Sequence, residues 1–251
     1  MNTYLLEKFD EIERFHWWWE GRRKLVDMFL PKKVGMKILD IGCGTGETMS
    51  FVKKIRKGSV VYGVDTSVEA VRYTKKRGHK LVYRADARKL PFAAVMFDAV
   101  LILDVLEHIV EHDRVLSEAR RVLKPGGVVI VTSPALPIIW SAHDDNQGHV
   151  RRYTRETLLK VAKKSGLETE KVSYFNFVLA APIMAIRLAS RIPGFGFLAS
   201  YNNGINYEVA HVGAVNALLR RLFVGEVGMI EALEYPIGIS VVGVFSRPNT
   251  N

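Results

Sequence analysis

The residues with the clearest chemical potential lie in the run KILDIGCGTGE, Lys37 to Glu47. Gly42, Gly44 and Gly46 follow a short apolar stretch and open what reads as a helix. Glycines at such a place allow a tight turn and close approach of backbone to a ligand. The spacing is G-x-G-x-G, and the position that carries the last glycine of a dinucleotide-binding loop is Glu47. An acid in the first helical turn repels a pyrophosphate but tolerates a cofactor with a cationic group. The bland alternative is a glycine-rich turn without a ligand. Asp65 closes the next apolar run, where an acid accepts hydrogen bonds from ribose hydroxyls. It could equally be a helix cap, as could Thr66 or Ser67. Asp86, in RADARKLPF, could accept from an adenine amino group or simply stabilise a turn.

A second set of residues suits proton transfer. His108, His143 and His149 are candidate general bases, because neutral imidazole is available near pH 7. Asp144 could orient one of them, and Arg151 and Arg152 could hold a phosphate or carboxylate. Each has a plainer reading: His108 as a helix-end residue, the other two as parts of a structural loop. His143 and His149 with Asp144 or Asp145 would make a metal set, but no further ligand cluster is evident and no metal is expected. Near the N-terminus, HWWWEGRR offers Arg22 or Arg23 to a carboxylate and a Trp18 face to a cationic centre. The alternative there is a hydrophobic staple that packs the first helix on the core.

These residues must be positioned by elements that the hydrophobic pattern reveals. Residues 4–15 read as an amphipathic helix, with Leu5, Leu6, Phe9, Ile12 and Phe15 on one face. The aromatic and basic junction follows, then a helix to about Leu30, stopped by Pro31. From Met36 apolar strands alternate with helices: strands at 37–41, 59–64, LVYRAD, 99–103 and VVIVTSP, helices at 46–56, 68–77 and 113–123. Near-continuous apolar strands separated by helices indicate a parallel sheet covered on both faces. Residues 134–153 read as a long loop, and Thr154 caps a helix that ends at Gly166 with imperfect capping-box spacing. Two more strands, 170–177 and 238–245, flank an apolar helical insertion at 178–235 punctuated by Arg187, Arg191, Arg220 and Arg221.

The composition sets outer limits. A chain of 251 residues with 48% hydrophobic residues buries a sizeable core without staples, which excludes a mainly disordered chain. One cysteine excludes a disulfide framework and fits a reducing, cytoplasmic setting. Thirty-six basic against 26 acidic residues give +10, which permits an anionic partner without choosing among nucleic acid, membrane surface and acidic substrate. The first residues do not read as a signal peptide. No stretch reaches the roughly 18–20 uncharged apolar residues of a membrane span.

DIGCGTG, GVDTS, ADARKLPF, FDAVLILDVLEHI and EARRVLKPGGVVIVTSP, in this order over about residues 36–135, resemble a class I S-adenosylmethionine-dependent methyltransferase. The resemblance implies a doubly wound α/β fold: a seven-stranded, mostly parallel sheet of order 3-2-1-4-5-7-6 with strand 7 antiparallel. N-terminal helices (1–35) would cap a methyltransferase domain (36–251) with the insertion 178–235 between strands 6 and 7. It implies S-adenosyl-L-methionine as cofactor and S-adenosyl-L-homocysteine as product. Asp40, Gly42, Cys43, Gly44 and Gly46 would line the methionine part, Asp65 and Thr66 the ribose, Asp86 and Ala87 the adenine, and Leu103 and Asp104 the side. The flanking HWWWEGRR and HDDNQGHVRRYT resemble bacterial and archaeal methyltransferases of glycan or envelope-lipid synthesis, with Trp19 in place of the usual Phe. The expected acceptor is therefore a small molecule, a glycan or a lipid-linked molecule. Methylation of RNA and a non-catalytic cofactor-binding partner subunit stand as alternatives. Nucleic acid is not favoured, since the basic residues are dispersed and LDVLEH replaces an Asn-Pro-Pro-Tyr-type motif after strand 4. The insertion suits a peripheral membrane contact, a lid or a homodimer face, so the chain is expected as a monomer or homodimer.

Overall fold

Alternate residues of the Val- and Ile-rich runs feed two separate cores. Leu39, Ile41, Val100 and Ile102 enter one, while Ile38, Ala99, Leu101 and Leu103 enter the other. That is the period-2 consequence of a strand buried on both faces. The computed structural model describes residues 3–189, 192 and 213–249. Its strands are β1 (Lys37–Ile41), β2 (Val60–Asp65), β3 (Val82–Arg84), β4 (Phe97–Leu103), β5 (Leu123–Pro134), β6 (Glu168–Phe175) and β7 (Ser240–Ser246). They form one sheet of order β3-β2-β1-β4-β5-β7-β6, with β7 antiparallel to both neighbours and the other pairs parallel. This is the order that the sequence resemblance implies. The chain leaves β1 in one direction and returns on its other side as β4, so a crevice opens at the carboxyl ends of these two strands.

The helices are α1 (Thr3–Ile12), α2 (Trp17–Phe29), α3 (Glu47–Ile55), α4 (Val68–Lys76), α5 (His112–Val122), α6 (Ala142–Gln147), α7 (Arg155–Lys164), α8 (Ala180–Ala189) and α9 (Gly213–Met229). Several boundaries differ from the sequence reading, and the strands expected at 170–177 and 238–245 lie at Glu168–Phe175 and Ser240–Ser246. The first helix stops at Ile12, and Phe15 is left exposed. The aromatic and basic run is the opening of α2 itself, because the His16 side chain accepts from the Trp18 amide at 3.2 Å and caps the helix there. The stretch 134–153 also carries α6, started by a Ser141–Asp144 capping box. Thr154 does cap α7, with the hydroxyl of Thr157 completing the reciprocal bond that the spacing to Glu156 could not. Part of the expected insertion, residues 190–191 and 193–212 with Arg191, lies outside the described residues. No described helix is long and apolar enough to cross a membrane.

The N-terminal helices are built into the domain at both ends. Trp17 donates its amide to the Asn216 side chain at 2.9 Å, and Asn216 donates to Phe15 O at 2.9 Å. Trp18 stacks on Phe223 with centroids 5.4 Å apart and 7° between planes. Gly21 lets α2 meet α9, since a Cβ there would fall 2.1 Å from the Phe223 ring. At the other end Arg77 is a buried hub. Its guanidinium bonds Asp10 (2.5 Å), Glu13 (2.7 Å) and Glu47, tying α1, the α1–α2 link and α3 to the end of α4. Removing one partner of a buried ionic cluster typically costs about 3–5 kcal/mol. Arg77→Ala is therefore expected to lower the Tm, followed by circular dichroism, by roughly 6–15 °C, and Arg77→Lys to recover only part of the loss because one ammonium cannot reach three carboxylates with a fork's geometry.

Candidate active site

The glycine turn is shaped by close approach as much as by its dihedrals. Gly42 has φ +73°, and a Cβ on it would lie 2.4 Å from Val105 Cγ2. Gly42 and Cys43 both donate their amides to Val64 O, at 2.8 and 3.1 Å. Gly44 donates to Asp65 Oδ2 at 3.1 Å, while Asp65 Oδ1 accepts from Ser67 N at 2.9 Å. Ser67, rather than Asp65 or Thr66, is the side chain that caps α4. Gly46 instead faces Thr74 and His79, so its missing Cβ serves packing rather than the crevice. Glu47 is turned to Arg77, away from the crevice.

Two cavities meet here. Asp65, Thr66, Asp86 and Ala87 line one; Asp40, Cys43, Gly44, Leu103, Trp18 and Arg22 line the other; Gly42, Asp104, His108 and Gln147 belong to both. Asp86 is held by Arg88 at 2.7 Å, whose hydrogen bonds keep its carboxyl below the usual range. Asp40 is buried, and its Oδ2 has no hydrogen-bond partner. Burial pushes its carboxyl up to about 7, against the pull of Arg22 and with the help of Asp65 and Glu13. Arg22 pairs with Asp104 at 2.9 Å. Arg23 turns the other way and donates to Glu13 O (2.7 Å) and Arg14 O (2.9 Å), outside both cavities.

The imidazoles converge on the far wall. His143, His149 and His108 all line the cavity that holds Asp40. Asp144 is fully buried and is met by His149 Nδ1 at 2.9 Å, Arg152 Nε at 2.7 Å and the Ser141 amide at 2.9 Å. Burial works to raise its carboxyl, but the bonds from His149 and Arg152 prevail and hold it well below the carboxylate range. An ionised Asp144 makes His149 Nδ1 the donor, which leaves Nε2 with the lone pair. Burial, helped by the Arg187 guanidinium, pushes His143 down to about 4, so it is neutral. Arg151 bonds the carbonyls of Ile109 and Val110, outside both cavities, and Arg152 also holds Ala135 O at 2.8 Å. Two participants are absent from the sequence reading, Asn176 and Arg187 as a pocket residue, and Glu107 has no role of its own in it. Glu107 is fully buried, bonds Ser133 Oγ at 2.8 Å and is raised by burial and by Asp104. Asn176 is buried at φ +60° with neither carboxamide atom partnered. Spacing gives no signal for Asn176, whose role depends on where β6 ends.

A family model for the methyltransferase domain matches residues 39–131, the stretch that builds the glycine turn and β1 to β5. Residues 39–131 thus match a methyltransferase domain. The demethylmenaquinone methyltransferase of Staphylococcus aureus is 36% identical over 126 residues, 47% of this chain and 51% of that protein. The chain spans about half the length of the curated relatives it matches. Among solved structures, the [4+2]-cyclase SpnF superposes with a TM-score of 0.61 at 24% identity over 92% of this chain and 81% of its own. Phosphoethanolamine N-methyltransferase 2 of Haemonchus contortus, in complex with S-adenosyl-L-methionine, gives 0.62 at 22% over 92% and 53%. These structural likenesses show the fold. S-adenosyl-L-methionine is the cofactor that the sequence resemblance implies, and the residues present fit it: a bare, buried carboxylate oxygen on Asp40 for a cationic amine, open space beside Gly44, and acids at Asp65 and Asp86.

An ammonium placed against Asp40 favours its ionised form, so below pH 7 binding must also displace a proton. Cofactor affinity, measured by calorimetry, is expected to fall by up to about tenfold per pH unit below 7 and to level off above it. Asp40→Asn should weaken binding and flatten that slope.

Proposed function

We propose that the protein transfers a methyl group from S-adenosyl-L-methionine to a small-molecule acceptor carrying an ionisable oxygen or nitrogen. The observation that carries this is the meeting of the two cavities over Gly42, Asp104 and His108: one has acids suited to a nucleoside, the other has apolar walls and imidazoles. In this reading Asp65 and Thr66 take the ribose, Asp86 and Ala87 the adenine, and Asp40, Gly42, Cys43 and Gly44 the methionine part. When bound, the cofactor supplies an activated methyl on a sulfonium. The chain supplies alignment and water exclusion. Trp18, Ile183 and Ile239 give the acceptor an apolar bed. His149, oriented by Asp144, faces the reacting end with its free nitrogen and draws off the acceptor's proton, with the neutral His143 beside it. The relative named for demethylmenaquinone supports an acceptor with an apolar body.

The test is transfer of labelled methyl from S-adenosyl-L-methionine into cell extract, separated into organic, aqueous small-molecule, protein and RNA fractions. Label is expected in one of the two small-molecule fractions, and label confined to RNA or protein overturns the reading. His149→Ala is expected to lower kcat by about 10²-fold or more, with the calorimetric affinity for the cofactor unchanged. A parallel loss of cofactor affinity would place His149 in cofactor binding instead.

A further inference from the structure

Glu107 and His108, in the turn after β4, and His149, after α6, come together although about 40 residues of chain separate them. One ligating atom from each lies within 4.8 Å of the other two. Glu107 is fully buried, and while Oε2 accepts from Ser133, Oε1 has no hydrogen-bond partner. A buried carboxylate oxygen left bare is costly, so it points to a missing ligand. Both imidazoles are turned the same way: His149 Nδ1 donates to Asp144 at 2.9 Å and His108 Nδ1 to Gly148 O at 3.3 Å. Each therefore keeps its lone pair on Nε2. A carboxylate behind an imidazole, as Asp144 is behind His149, is the arrangement that orients a metal-bound histidine.

We propose that Glu107, His108 and His149 form a site for a divalent first-row transition cation of the zinc type. Two imidazole nitrogens and one carboxylate oxygen suit zinc, manganese or iron(II) better than calcium or magnesium, which prefer oxygen alone. Three protein ligands leave a coordination position open. His108 lines both cavities, so that position faces the place where acceptor and cofactor would meet. The role of the site rests on the methyl-transfer reading. An acceptor hydroxyl in the open position loses its proton to His143 or to water. Its oxygen pair then forms the O–CH3 bond as the S–CH3 pair returns to sulfur, leaving a neutral thioether and the cation's charge unaltered. On this account the His149 lone pair binds the cation in place of taking the acceptor's proton directly, and His149 and His108 act on the acceptor through the cation.

The untagged chain, stripped with a chelator, is titrated with Zn²⁺ by calorimetry and with Co²⁺ by visible absorption. The expected result is one equivalent per chain, with a cobalt spectrum free of thiolate charge transfer, since Cys43 is the one cysteine and lies in the glycine turn. Glu107→Gln and His108→Ala are each expected to weaken zinc at least about tenfold, while His143→Ala leaves it unchanged. His108 is exposed, so its variant is expected to fold, and an unchanged Tm by circular dichroism checks this. No stoichiometric metal on the wild type, or equal affinity in His108→Ala, overturns the site. Cofactor calorimetry on the same stripped protein separates the two readings: cofactor binding without metal binding sinks the cation site alone.

Discussion

A carboxylate withdrawn from water must find positive charge or donors, and four such groups stand along the carboxyl edge of this sheet. Glu13, Asp40, Glu107 and Asp144 are all nearly or wholly buried. Burying an isolated charge is prohibitive, so each must be neutralised, paired or protonated. Asp144 is satisfied by His149 and Arg152, and Glu13 by Arg77 and Thr45. Asp40 and Glu107 each keep one oxygen bare. The difference divides these groups into two that are paired within the fold and two that keep an unpartnered oxygen. Much of the surrounding architecture follows: the N-terminal cap carries Arg22 and Glu13 to the glycine turn, and the α6 loop carries His149, held by Asp144, to the opposite wall of the cavity.

The same economy explains how one fold hosts different reactions. A [4+2]-cyclase and a phosphoethanolamine N-methyltransferase share this sheet. A fold does not fix a reaction, which depends on the residues that cover its crevice. Here that cover comes from α2, α6, α8 and the turn after β6, all outside the matched 39–131 stretch.

Legibility in the sequence tracked the range of the responsible interaction. The strands, the glycine turn and Asp65 rest on local pattern, whereas the strand order is implied by the family resemblance and is the one seen. Boundaries moved where a side chain outvoted periodicity: His16 as a cap starts α2 ahead of the tryptophans, and the Ser141–Asp144 box makes a helix in what reads as loop. The sequence pattern treats Arg22 and Arg23 alike, yet α2 turns Arg22 to the crevice and Arg23 to the carbonyls of Glu13 and Arg14. Glu47 reads as a charge facing the ligand, but the distant Arg77 claims it. Glu107 stands in an apolar run beside His108, and the local pattern gives its carboxylate no role of its own, although the structure sets it near His149 of a later loop.

The clasp of Trp17 and Phe15 on Asn216 joins positions 199 and 201 residues apart. Loops of that length are slow to close, because their entropy is lost before the contact rewards it. On the ribosome α2 emerges among the first elements, yet α9, the helix it docks on, is among the last. The strands β1 to β4 that frame the glycine turn are complete long before then. The tryptophan wall beside that turn therefore stays unanchored until a helix more than a hundred residues further along the chain has been made.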